Sequence, residues 1–202
     1  MFRMSNYSEY RNILEHSSMR SWEKLIARGN QNKQGARMLI GLISDTHDNL
    51  PMVEKAVRRL NDEEVCLVLH AGDYVAPFVI QKFKALNCRL IGIFGNNDGD
   101  YELLKKRFSE TSNCEVRGRF AQVNADGFRI ALIHGDEAEL LNALVSCQYF
   151  DAVVYGHAHV AAASRNGKTM VVSPGEVCGY LTGKATLGLL DTDKREAWIV
   201  EL

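Results

Sequence analysis

Three continuous apolar runs, at 38–43, 65–69 and 90–94, alternate with segments of helical spacing at 52–60, 78–86 and 101–108. This alternation constrains the fold more than any other feature of the chain. An unbroken apolar run reads as a strand buried on both faces, and such strands occur where helices cover a parallel sheet. The segment at 52–60 shows the helical period, with Val53, Ala56, Val57 and Leu60 on one face. The β-α-β-α-β-α order therefore predicts a parallel sheet. Beyond Asn113 the texture changes. Strands are predicted at 121–124, 128–134, 152–155, 160–165, 169–173, 186–190 and 197–202, with a helix at 138–146. Asp126-Gly127 and Asn166-Gly167 are hairpin signals. The fold class is α/β, with a second half rich in strands and partly antiparallel.

The polar residues sit where these strands stop. The first run ends in Ser44-Asp45-Thr46-His47, the second in His70-Ala71-Gly72-Asp73 and the third in Gly95-Asn96-Asn97-Asp98. Two later strands end in His134-Gly135-Asp136 and Gly156-His157-Ala158-His159. Parallel strands deliver their carboxyl ends to one crevice, where α/β proteins bind ligands. Asp, Asn and His supply oxygen and imidazole nitrogen without thiolate. That set suits Mn, Fe, Zn, Ni or Co better than an all-oxygen cage for Ca or Mg. Asp45, His47, Asp73, Asn96, His134, His157 and His159 are too many for one tetrahedral ion and fit two ions sharing a carboxylate. A metal pair about 3.5–4 Å apart clamps a phosphoryl group and generates hydroxide at neutral pH.

The series D-x-H (Asp45, His47), G-D (Gly72, Asp73), G-N (Gly95, Asn96), H-G (His134) and G-H-x-H (His157, His159), in this order and each after an apolar strand, resembles the calcineurin-like metallophosphoesterases. Within them it is similar to the small bacterial and archaeal phosphodiesterases. The resemblance spans 38–202 and implies a four-layer α/β/β/α sandwich. It implies that Asp45, His47 and His159 hold one ion, that Asn96, His134 and His157 hold a second, and that Asp73 bridges them. The implied reaction is hydrolysis of phosphate esters, diesters above all, by a hydroxide bridging two divalent metals. Manganese is the expected ion, with nickel, iron, zinc, cobalt and magnesium as alternatives. The implied partner is a small phosphate-ester substrate.

The chain departs from the family in one place. Many members carry His directly after the ligand Asn, where it is thought to stabilise or protonate the leaving group; here the position is Asn97. An amide can hydrogen-bond a phosphate oxygen but cannot act as an acid, and a missing general acid costs ~10²–10⁴-fold. Asn97 is therefore read as a substrate contact with a catalytic role, on esters with good leaving groups. Asp98 is read as a catalytic support that orients Asn96 or a ligand histidine. His70 is read as a satisfied core histidine, Asn49 as a helix N-cap ahead of Pro51, and 173–176 as a structural turn.

Composition narrows the partners. A net charge of -1 offers no global basic field for nucleic acid. A nuclease would also want a basic groove and an accessory domain, of which the sequence shows no sign. No apolar run reaches the ~20 residues that span a bilayer. The five cysteines, Cys66, Cys88, Cys114, Cys147 and Cys178, form no C-x-x-C pair, which reads as reduced, mostly buried thiols of a cytoplasmic protein. Residues 1–37 carry seven Lys/Arg against three Glu and end in a Gly/Asn/Gln-rich stretch. They read as an N-terminal extension, partly helical or flexible, with Tyr10, Ile13, Leu14, Trp22, Leu25 and Ile26 at loose helical spacing. Such a helix could pack on the domain or on a partner chain in a homo-oligomer. Met38 reads as a plausible start, and a transit peptide is a third reading of the extension. The competing function is a non-catalytic scaffold that uses the same fold to bind proteins.

Overall fold

The computed structural model describes residues 38–202; the helix and linker expected within 1–37 lie outside the described residues. The elements run β1 (Leu39–Ile43), α1 (Leu50–Asp62), β2 (Leu67–His70), a 3₁₀ turn (Pro77–Val79), α2 (Ile80–Phe83), β3 (Arg89–Gly92), α3 (Tyr101–Ser109), β4 (Cys114–Val116), β5 (Phe120–Ala125) and β6 (Phe128–Ile133). They continue with α4 (Ala138–Ser146), β7 (Ala152–Val154), β8 (Ala161–Asn166), β9 (Thr169–Pro174), β10 (Thr186–Asp191) and β11 (Glu196–Glu201).

Two sheets result. The first has the order β11-β10-β1-β2-β3-β4 and the second β5-β6-β7-β9-β8. β1 to β4 are parallel, with Ile40 opposite Leu67 and Leu67 opposite Arg89. β10 returns antiparallel beside β1, and β11 antiparallel beside β10. In the second sheet β6, β7 and β9 are parallel, flanked by antiparallel β5 and β8.

Strand alternation divides the core into layers. Leu39 and Ile43 of β1 face a cluster with Val53, Val57 and Leu60 of α1 and Phe108 of α3. Ile40 and Leu42, one residue out of phase, face the other sheet and pack with Ile130, Leu132, Val154 and Val172. The outer face of the second sheet, through Ala131, Ile133 and Val153, takes Leu141, Leu144 and Val145 of α4. This is the expected α/β/β/α sandwich. Each fully buried Ile or Leu in these layers contributes roughly 1.5–3 kcal/mol, and the layering brings the carboxyl ends of β1, β2, β3, β6 and β7 to one side.

Local chemistry sets the boundaries. Asn49 caps α1, its side chain accepting from Met52 N, with Pro51 in the first turn. The helix expected over 78–86 shortens to a 3₁₀ turn and the four residues of α2. Asn61 donates to the Ala85 carbonyl and accepts from Asn87 N, so the chain there is satisfied without another helical turn. β4 was not expected; its three residues, one of them Glu115, carry too little pattern to read. All five cysteines are free, but only Cys114 and Cys178 are buried, while Cys66 and Cys147 are exposed. No helix among the described residues is long and apolar enough to cross a membrane.

Candidate metal centre

The loops after the strands are stitched together by backbone hydrogen bonds. Asp45 N donates to Gly72 O, and Thr46 N and His47 N donate to Asp73 O, at 3.0, 3.0 and 3.1 Å. Gly156 N donates to His134 O at 2.8 Å, and Cys178 N to Asp45 O at 3.1 Å. Asp98 is buried, and its carboxylate accepts from the N–H groups of Asp73, Tyr74, Val75 and Gly95 at 3.1, 2.7, 2.9 and 2.7 Å. It thereby clamps the loop after β2 to the loop after β3. Its pKa is raised by burial, against the pull of those N–H groups.

The sequence-predicted ligands come together at these loops. Asp45 Oδ1 is 3.8 Å from His47 Nε2 and 3.5 Å from His159 Nε2. On the other side, Asn96 Oδ1 is 2.9 Å from His134 Nε2 and 3.0 Å from His157 Nδ1. Asp73 lies between: its Oδ1 is 3.4 Å from His134 Nε2 and its Oδ2 is 3.5 Å from His47 Nε2. Asp45, Asp73 and His134 form a buried wall, and Asn96, Asn97 and His157 an exposed lip. None of the seven lines the surface clefts of about 480 and 440 Å³ found elsewhere on the molecule.

Backbone strain concentrates here. Asp45, His47, Asp73, His157 and His159 have φ of 52°, 38°, 62°, 66° and 58°, a region that costs a non-glycine residue ~1–3 kcal/mol. Two glycines make the close approach possible. A Cβ on Gly95 would strike Asp73 Oδ1 and come within 2.8 Å of His134 Cε1; one on Gly156 would strike Ser44 Oγ and come within 2.8 Å of Asp45 Oδ2.

The electrostatics call for cations. The ion-pair partners of Asp45 and Asp73 are histidines. Burial opposes ionisation of Asp73, but His134 and then Asn97 outweigh it and hold the carboxyl well below its ordinary range. The nearby Asp45 carboxylate raises the pKa of His47 against burial, with Asp73 adding to the rise. Burial likewise opposes protonation of His134, and Asp73 overcomes it. Asp45 Oδ1 and His47 Nε2 are buried without a hydrogen-bond partner, a costly state for groups that a bound cation would satisfy. His134 Nδ1 donates to Ala71 O at 2.7 Å, which turns a bare Nε2 toward Asn96 Oδ1 and Asp73 Oδ1. Acceptors facing acceptors, built from oxygen and imidazole nitrogen, fit divalent metals.

The remaining residues fall around this centre. Asn97 N and Nδ2 donate to Asp73 Oδ1 and Oδ2 at 2.9 and 2.7 Å, at the exposed lip. His70 is fully buried; its Nδ1 accepts from Gly72 N at 3.1 Å and its Nε2 lies 3.3 Å from Thr46 Oγ1. Burial lowers its pKa to about 3, so it is a neutral core histidine. Glu176, read from sequence as part of a turn, is instead fully buried against His159, with Oε2 2.7 Å from His159 Nδ1. Burial opposes its ionisation, but His159 and Thr182 hold its pKa at about 2. A glutamate directly after Pro174-Gly175 was the available signal, and it did not reveal a partner 17 residues upstream.

The calcineurin-like phosphoesterase superfamily domain matches residues 38–195. The chain belongs to that superfamily. Its chemistry is phosphoester hydrolysis, and calcineurin-like phosphoesterases use divalent metals. The chain is 40% identical to phosphodiesterase MJ0936 of Methanocaldococcus jannaschii over 79% of its own length and 96% of the relative's. It is 25% identical to phosphodiesterase YfcE of Escherichia coli K12, over 77% of this chain and 89% of that one. A solved archaeal phosphodiesterase superposes with a TM-score of 0.78 at 39% identity, covering 82% of this chain and all of the other, 100%.

Proposed function

We propose that this calcineurin-like phosphoesterase is a phosphodiesterase with a two-ion centre, manganese the first ion to test. Asp45, His47 and His159 hold one ion, Asn96, His134 and His157 the other, and Asp73 is shared. The observation that carries this reading is Asp73: its two oxygens face opposite histidines, Oδ1 toward His134 and Oδ2 toward His47. When bound, such an ion pair neutralises charge on phosphoryl oxygens and lowers the pKa of water toward 7. The chain's own residues do the rest. The buried carboxylates fix the ligand geometry on one side, and the exposed lip at Asn96, Asn97 and His157 leaves the other open to substrate. Asn97 Nδ2 is placed to donate to a phosphoryl oxygen once it leaves Asp73 Oδ2, but it has no proton to give a leaving group. The leaving oxygen therefore departs without an acid from this position, which favours esters of acidic alcohols and phenols. We assign the catalytic unit to residues 38–202.

An activated aryl phosphodiester tests the proposal. With Mn²⁺ or Ni²⁺ the protein turns it over, and after chelation it does not. Equal rates with and without chelator would overturn metal dependence. Metal analysis of the purified protein separates the enzyme from a scaffold of the same fold, which needs no bound ion.

A further inference from the structure

Glu176 has no place among the seven ligands, yet its carboxylate is fully buried beside one of them. It lies on the segment that follows β9, on the side of His159 away from Asp45. His159 bridges the two acids: Nε2 is 3.5 Å from Asp45 Oδ1 and Nδ1 is 2.7 Å from Glu176 Oε2. The other contacts of Glu176 are donors. Oε1 accepts from Thr182 N at 2.6 Å, Thr182 Oγ1 at 2.7 Å and Leu181 N at 3.0 Å. Oε2 accepts from Cys178 Sγ at 3.0 Å and Leu181 N at 3.2 Å. A carboxylate encircled by N–H, O–H and S–H groups has every lone pair committed to accepting, so its contact with His159 must take the ring N–H. That leaves Nε2 of His159 as a bare lone pair aimed at Asp45.

We propose that Glu176 is a positioning residue for the ion held by Asp45, His47 and His159. It fixes His159 in the Nδ1–H tautomer, locks the ring plane and raises the basicity of Nε2. The inference rests on the metal-centre reading above. It also makes the two ion sites unequal. At the other site the matching contact is His134 Nδ1 to the backbone carbonyl of Ala71, 2.7 Å away, which no side-chain substitution removes and which carries no full charge. Glu176→Gln keeps the volume but puts an amide where a carboxylate stood, and at least one N–H then faces a donor.

The test is equilibrium Mn²⁺ binding by the full-length protein after chelator treatment, read by competition with a chromophoric chelator. Glu176→Gln is expected to weaken one of two sites by ~10–100-fold and leave the other unchanged, with partial recovery in Glu176→Asp. Long-range ¹H–¹⁵N spectra of the metal-free wild-type protein are expected to show His159 protonated on Nδ1, and this measurement stands even if the variants fail to fold. Unchanged affinity in Glu176→Gln, or a wild-type His159 carrying its proton on Nε2, overturns this inference alone. A wild-type protein that binds no divalent ion overturns the metal-centre reading, and this inference with it.

Discussion

Asp73 sends one carboxylate oxygen to each half of the site, 3.4 Å from His134 and 3.5 Å from His47. Losing it would remove the group common to both proposed ion sites, and losing His134 would open one of them. Asp73→Ala and His134→Ala are each expected to lower kcat/KM by at least ~10³-fold, since ion loss removes several kcal/mol of charge stabilisation; circular dichroism should show the fold retained. Near-normal turnover in both would contradict the assignment. Asn97 supplies the opposite kind of test, a gain. Asn97→His places an acid beside the leaving group, so the rate on an alkyl diester should rise relative to a nitrophenyl diester, toward the ~10²–10⁴-fold that a placed acid contributes. His70 predicts a pH effect on stability. Its pKa is about 3 in the fold against an ordinary 6.5, so the unfolded chain takes up a proton that the folded protein refuses. The stability from neutral His70 is complete above pH 6.5 and lost as pH falls from 6.5 toward 3. Urea midpoints should fall with acid from pH 6.5 downward, and less steeply in His70→Gln. The seven candidate ligands that the loops bring together were legible because each cluster follows an apolar strand. Glu176 was not, because its meaning lies in a contact across the fold and in no local pattern.

At the scale of elements, the loop between β1 and α1 has two tasks. Asn49 caps α1 by accepting from Met52 N, and its Nδ2 donates to Cys178 O at 2.8 Å, tying the helix to the segment that carries Glu176. Asn49→Ala should cost ~1–2 kcal/mol by urea unfolding and weaken metal binding as well, where a cap alone would affect only stability. The parallel β1, β2 and β3 were legible as unbroken apolar runs, and α1, α3 and α4 by their spacing. The polar contacts of Asn61 shortened α2, and they are tertiary. β4 has three residues at a sheet edge, below what periodicity can register. The late strands were legible as strands, but nothing in Thr186–Asp191 announces that β10 departs from β9 and the second sheet to pair with β1 in the first.

At the scale of the molecule, the proposed ions are part of the stability. A ligand at ~100 times its dissociation constant adds ~2.7 kcal/mol, worth about 5–10 °C in Tm for a domain of this size. Thermal melts with and without Mn²⁺ should differ by that much, and Asp73→Ala should abolish the shift. The fragment 38–202 is expected to show the same shift and comparable turnover. Asp45, His47, Asp73 and Asn96 follow strands of the first sheet, whereas His134, His157 and His159 follow strands of the second. Each proposed ion set needs a histidine from beyond β7. A ribosome-bound chain that has emerged only as far as β6 therefore owns neither proposed set, and hydrolytic power waits on the residues that follow β7.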